Sequence, residues 1–207
     1  MKIVTVSREF GSGGREVGKR LADALGVAYY DREILTAIAE DAKLDESYVE
    51  NVLELCNPAN PSYHLTFSRT FSYNPMAGNA AQLLARQHRI IKALAEKGDC
   101  VIVGRGAEAV LAEYRPFRMF VHADMSARLA RCRSRASAGE QLSDRELQRQ
   151  IRQIDKTRAA NHSFVSDIPW GAREGYELCL NTTHMDIKKT VPLLAQLIGQ
   201  WFQENGQ

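Results

Sequence analysis

At 207 residues the chain is long enough for one substantial core with at most a small lobe attached. Hydrophobic residues at 44%, charged residues at 25% and a net charge of +2 fit a soluble globular protein and exclude the dense basic tract that holds nucleic acid. No apolar run approaches the ~20 residues that span a bilayer, and the start of the chain lacks a signal-peptide profile, so we expect a cytoplasmic protein with neither membrane nor nucleic-acid partner.

The first predicted strand, Lys2 to Ser7, is a β-branched run suited to a buried parallel strand. Gly11, Ser12, Gly13 and Gly14 follow, a stretch whose backbone can reach positive φ and turn its N–H groups inward. Val17, Leu21 and Leu25 then recur at helical spacing, and Gly26 is placed to end the helix. A glycine loop feeding a helix N-terminus attracts an anion through backbone donors and the positive end of the helix dipole. The plain alternative is a tight strand-to-helix turn.

The phosphate-loop pattern GxxxxGK followed by Ser or Thr is approached in two registers. Gly13 to Lys19 fits GxxxxGK literally, with Arg20 in the hydroxyl position, but leaves fewer than about two turns of helix before Gly26. The second register puts Gly14 and Arg15 in the Gly-Lys positions, with Glu9 for the first glycine and Glu16 for the hydroxyl residue. It starts the helix near Gly14 and keeps the whole apolar stripe, and we prefer it. Gly11 to Gly14, Arg15 and Glu16 are then the candidate donor-phosphate residues, with Arg15 as the cation.

Val27 to Tyr30 reads as a second strand ending at Asp31. Arg32 to Ala42 and Asp45 to Cys56 read as helices, with Asp45 as a cap. Asn57 to Gly78, with three prolines and several aromatics, reads as a loop or small lobe. A long helix from Asn79 to Lys97 leads to a buried strand, Cys100 to Gly104. Phe117 to His122 is another strand, Ser126 to Ala136 a basic helix, Tyr176 to Leu180 a strand and Ile187 to Phe202 the closing helix. The segment carrying Arg131, Arg133, Arg135, Arg145, Arg149, Arg152 and Arg158 is otherwise helical. For most of these arginines a solvated face paired with Glu140, Asp144, Glu146 and Asp155 is the better reading. Cys56, Cys100, Cys132 and Cys179 form no CxxC pair, and Cys100 and Cys179 sit in apolar runs as buried thiols. The histidines make no metal-type spacing.

Strands alternating with helices predict an α/β protein with a parallel sheet covered on both faces. Ligands gather at the carboxyl ends of such strands. That rule selects Ser7 to Arg15, Asp31 and Arg32, Gly104 to Gly106, and Asp124.

The blocks VSREFGSGGREVGKRLADALG, YYDREI, VIVGRG from Val101, QIRQIDKTRAANH from Gln150 and YELCLNT from Tyr176 resemble the cytidylate kinase-like family, a branch of the nucleoside monophosphate kinases. The resemblance covers nearly the full chain in order. It implies one P-loop kinase domain over 1–207, a three-layer sandwich with a five-stranded parallel sheet. Its parts are the phosphate-loop unit (1–31), a helical acceptor-binding insertion with the long helix (32–98), core (99–135 and 166–207) and a short lid (136–165). The implied reaction moves the γ-phosphoryl of ATP, with Mg²⁺, to a pyrimidine nucleoside monophosphate, CMP or dCMP first. Asp31, Arg32 and Arg105 are implied to face the acceptor, and Asp155 and Arg158 to close over the transferring group beside Arg15 as catalytic residues. The chain departs from the pattern at Arg15 and Glu16, in a third strand that ends VIVG with no acidic residue, and at Gly106, where related kinases carry a base-reading aspartate. Metal ligands stay unassigned among Asp31, Asp124 and Glu16, and Arg69 and Arg86 are further basic residues near the acceptor side. Two alternatives stand: a P-loop protein that binds nucleotide without turnover, and a kinase of another small metabolite.

Overall fold

The computed structural model describes residues 1–55, 75–135 and 142–206. Cys56, Arg69, the span 57–74 of the expected lobe and the span 136–141 of the expected lid, Glu140 included, lie outside the described residues. Strand β1 (Ile3–Arg8) leads through the glycine loop into helix α1 (Gly14–Leu25), then β2 (Ala28–Tyr30), α2 (Glu33–Ala42) and α3 (Glu46–Leu55). Helix α4 (Pro75–Ala95), strand β3 (Cys100–Val103), the single turn α5 (Ala107–Val110) and β4 (Phe117–His122) follow. The chain closes with α6 (Met125–Arg135), α7 (Asp144–His162), β5 (Leu178–Asn181) and α8 (Ile187–Glu204).

The sheet runs β2-β3-β1-β4-β5 with every pairing parallel. β1 and β3 are near-continuous apolar runs because helices cover both their faces. On one side Ile3, Cys100 and Ile102 pack against Ile34, Leu35 and Ile38 of α2 and Ile91 of α4. On the other, Val4, Val6, Val101, Val103 and Met119 pack against Val17 and Leu21 of α1 and Val191, Ile198 and Phe202 of α8. Each fully buried Leu, Ile or Val contributes about 1.5–3 kcal/mol to that core. Since β1 has β3 on one flank and β4 on the other, chain crossovers leave it in opposite directions and open a crevice at its carboxyl end.

The helical start at Gly14, the Val17–Leu21 stripe and a left-handed Gly26 closing α1 are as expected, but with Gly13 at the N-cap the pair in the Gly-Lys positions is Gly13–Gly14, one residue earlier than the register preferred from sequence. Asp45 caps α3 by accepting from Ser47 N at 2.9 Å. Other expectations shift. Pro75–Gly78 belongs to α4, which starts with proline in its first position, where no N–H is needed. β5 starts at Leu178, because Tyr176 follows a tight turn at Arg173–Gly175 and packs its ring 5.1 Å from Phe120. Cys179 is exposed, contrary to the buried thiol expected, since β5 is an edge strand; Cys100 is buried, and burial pushes its thiol up to about 12. Helix α7 is one uninterrupted element opened by a capping box between Ser143 and Glu146. Among the described residues no helix is long and apolar enough to cross a membrane.

Candidate active site

The loop is held from behind. Gly11 and Gly13 take φ of 77° and 84°, which glycine adopts without penalty. Ser12 is fully buried; its hydroxyl donates to Glu9 O at 2.8 Å, and its carbonyl accepts from Thr182 Oγ1 at 2.6 Å. Arg128, buried at the start of α6, donates through Nε to Phe10 O at 2.7 Å and lies 3.3 Å from Glu9 Oε2. It also pairs closely with Asp155 of α7, whose other oxygen accepts from Phe10 N at 2.7 Å. A buried guanidinium between two carboxylates thus fixes the first half of the loop. Gly13 offers no side-chain cap, and among the described residues Gly14 N reaches only Ser12 Oγ, at 3.4 Å. The start of α1 is therefore free to receive an anion.

Beside the loop lies a cavity of about 1020 Å³ whose lining includes Arg8, Phe10, Arg15, Asp31, Arg32, Arg105 and Arg158, while Gly11 to Gly14 are not among its lining residues. Arg15 Nε lies 2.5 Å from Asp31 Oδ2 while 61% of its side chain stays exposed. Arg8 NH2 lies 3.6 Å from Asp31 Oδ1. Arg158 donates to Arg8 O at 2.9 Å and lays its guanidinium 5.6 Å from the Phe10 ring centre. Burial and then the Arg158 charge press the Arg8 guanidinium down to about 9, with Asp31 opposing; burial likewise lowers Arg158. Burial, then the Asp31 carboxylate, push the Tyr29 hydroxyl up to about 12.

Arg105 has φ of 62° between Gly104 at 77° and Gly106 at 65°, three left-handed residues in a row. A non-glycine residue in that region costs roughly 1–2 kcal/mol, and such strain gathers where a side chain must point to one place. The flanking glycines serve the protein's own packing: a Cβ on Gly104 would fall within the Arg8 guanidinium, and one on Gly106 would sit 2.8 Å from Val165 Cγ2.

The structure thus brings Arg15, Asp31, Arg32, Arg105 and Arg158 to one cavity and places Asp155 behind the loop. Glu16 turns outward to Arg20 at 2.9 Å and Arg135 at 3.0 Å. Arg86 shares the Asp41 carboxylate with Arg89, bracing α4 on α2. Arg152 does not line the cavity but a small groove of about 350 Å³ with Arg145 and Lys156, which adjoins the cavity at Arg149 and Gln153. Arg133 pairs with Asp144, as expected for a solvated face.

Two features escaped sequence reasoning. One is the role of Arg8, which falls within the selected span Ser7 to Arg15 without a task of its own and is the last residue of β1 in the structure. The other is a buried cluster: Glu108 Oε1 accepts from Ser7 Oγ at 2.7 Å and lies 3.1 Å from His162 Nδ1, while His162 Nε2 lies 3.0 Å from Ile168 O. Glu108 is 5% exposed and lines the cavity, and its Oε2 has no partner among the described residues. The signal available was a carboxylate set in the apolar run AEAVL directly after the glycine–arginine loop.

Magnesium finds no ready ligand set. Asp31 and Glu16 are ion-paired, Asp124 is exposed and does not line the cavity, and no three His, Cys, Asp or Glu residues cluster among the described residues.

A parallel five-stranded sheet with a glycine loop between its central strand and first helix defines the class as a P-loop kinase fold. The chain belongs to the cytidylate kinase-like family, whose sequence model matches residues 3–184. Among solved structures it is similar to an uncharacterized protein from Eubacterium ventriosum, with 24% identity, TM-score 0.68, and 96% of this chain and 99% of that one covered. Shikimate kinase from Bacteroides thetaiotaomicron matches at 16% identity and TM-score 0.55, over 96% of this chain and 98% of that one. A gluconokinase from Sinorhizobium meliloti matches at 16% identity and TM-score 0.51, over 99% and 94%. These likenesses are of fold. No curated protein matches the sequence.

Proposed function

We propose that the chain is a nucleoside monophosphate kinase that transfers the γ-phosphoryl of ATP to a pyrimidine nucleotide, CMP or dCMP. The observation that carries this reading is the charge of the cavity: Arg8, Arg15, Arg105 and Arg158 act on one another electrostatically, with Asp31 the carboxylate among them. Guanidiniums crowded this way repel unless anions join them, and each can hold two phosphate oxygens. Two phosphate-bearing substrates supply those anions; one neutral polyol does not.

In this reading the Gly11–Gly14 backbone cradles the donor phosphates, with Arg15 and Arg158 drawing off charge. Asp31, Arg32 and Arg105 face the acceptor, segment 32–98 wraps it, and segment 136–165 acts as the lid, with Asp155 tying that segment to the loop. An acceptor-phosphate oxygen bonds to the γ-phosphorus as the bond to the β–γ bridging oxygen breaks, and ADP leaves with that electron pair. Arginines suit the step because they stay protonated and neutralise charge without proton transfer.

A second reading, a kinase of another phosphorylated metabolite, is favoured by Gly106. With φ of 65° and Val165 close by, position 106 holds no base-reading aspartate. Coupled ADP-release assays across nucleoside monophosphates and phosphorylated metabolites separate the two. Stimulation by CMP or dCMP is expected. Stimulation by a non-nucleotide alone selects the second reading, and ATP binding with no stimulation by any acceptor leaves a nucleotide-binding protein without turnover.

A further inference from the structure

We propose that Arg8 supplies the phosphate-loop cation that other P-loop proteins place on the first residue of the following helix. The inference rests on the nucleotide-kinase reading above and adds to it a residue which neither the motif nor that reading assigns.

The geometry sets the register. Gly13 is left-handed at the N-cap and α1 opens at Gly14, so the pair that stands where Gly-Lys stands in GxxxxGK is Gly13–Gly14. Counting back, the first glycine of the pattern falls on Arg8 and the hydroxyl position on Arg15. Glycine and cation have changed places: the loop reads RxxxxGG. The exchange is physically complementary. A Cβ on Gly14 would overlap Arg8 Cβ and sit 2.9 Å from its Cγ, so the arginine stem fills the space above the helix start that a lysine stem would need. Farther along, a Cβ on Gly104 would lie 2.7 Å from Arg8 Cζ, so the guanidinium passes over the backbone that turns into Arg105.

Arg8 therefore runs from the donor loop to the acceptor loop, the path a transferred phosphoryl group must follow. Its side chain is 14% exposed and lines the cavity, and among the described residues its one carboxylate neighbour, Asp31 at 3.6 Å, is held more closely by Arg15. Arg158 anchors the Arg8 carbonyl and adds a second positive charge. A buried guanidinium so weakly compensated gains most from an anion that two arginines can share.

The test is calorimetric titration of ATP and of inorganic tripolyphosphate into the whole chain carrying Arg8→Gln, Gly14→Lys, or Arg8→Gly together with Gly14→Lys. Losing one charge-assisted phosphate contact is expected to weaken binding by roughly 10- to 100-fold in Arg8→Gln. Gly14→Lys alone is expected to weaken it as well, because the new side chain meets Arg8. The double variant, which restores the usual arrangement, is expected to recover binding to within about tenfold of the parent chain, a rescue that a purely structural role for Arg8 does not give. Parent-level affinity in a folded Arg8→Gln variant overturns the proposal, as does a folded double variant that does not bind. Failure of the unmodified chain to bind either probe sinks the nucleotide reading itself, before any substitution is made. Should the variants not fold, a structure of the unmodified chain with a non-hydrolysable ATP analogue decides: Arg8 nitrogens within hydrogen-bond distance of a phosphate oxygen support the proposal, and Arg8 left on Asp31 alone overturns it.

Discussion

Arg15 Nε and Asp31 Oδ2 lie 2.5 Å apart, a bond that ties the first turn of α1 to the end of β2 across the mouth of the cavity. The same carboxylate faces Arg8, so Asp31 is the hinge of the charge balance.

Replacing Asp31 by Asn leaves Arg8 without its counter-charge. A loss of about 2 kcal/mol of stability is expected, near the cost of stripping a partner from a partly buried charge. Urea unfolding gives the number. Added inorganic phosphate should restore more stability to the variant than to the parent chain, and an unchanged midpoint for Asp31→Asn contradicts this account of the cavity.

Asp155 and Arg158 share a helix but have different tasks. Asp155→Ala abandons buried Arg128 and Phe10 N, so its main effect is on folding, with melting temperature and urea midpoint both falling. Arg158→Ala is expected to lower kcat by roughly 100- to 1000-fold, the range for losing one donor to transition-state charge. Melting curves and initial rates on both variants would expose a reversed pattern.

The His162 ring has a carboxylate on one side and a carbonyl on the other, both acceptors, and the Glu108 carboxylate 3.1 Å away holds its pKa above the ordinary 6.5. With the folded value raised, the stabilisation is fully present below the unfolded pKa of about 6.5 and fades as pH climbs through the folded value. Melting temperature should therefore fall on going from slightly acid to slightly alkaline buffer, and Glu108→Gln should flatten that slope. Equal slopes in the two proteins would remove Glu108 as the cause.

Two glycine substitutions are expected to move stability in opposite directions. Gly104→Ala forces a Cβ into the Arg8 guanidinium at φ of 77° and should cost at least about 1–2 kcal/mol from backbone strain alone. Gly199 lies within α8 with open space beside it, so Gly199→Ala should stabilise by roughly 0.5–1 kcal/mol. Denaturant midpoints for the pair are a direct check.

Much of this architecture was legible because it follows from local pattern. The spacing of Val17, Leu21 and Leu25 placed α1, the unbroken CVIV run placed β3, and the rule that ligands gather at strand ends picked out Asp31 and Arg105. Arg8 was hidden because its role depends on two glycines, 14 and 104, that are close only after the sheet forms. The Ser7–Glu108–His162 cluster joins three distant segments for the same reason. α7 carries its start signal in Ser143 and Glu146, yet it is so polar, with Ile151 and His162 its buried residues, that periodicity gives no stripe to find. Cys179 misled because an apolar run reads alike at the edge and the centre of a sheet.

The account stands most directly on phosphorus NMR of the chain with ATP, magnesium and CMP. It predicts that ATP disappears as the β-phosphorus signal of CDP grows in step with ADP, and that omitting CMP stops both. ATP unchanged in the presence of CMP and dCMP, or ADP and free phosphate released equally with and without an acceptor, would contradict it.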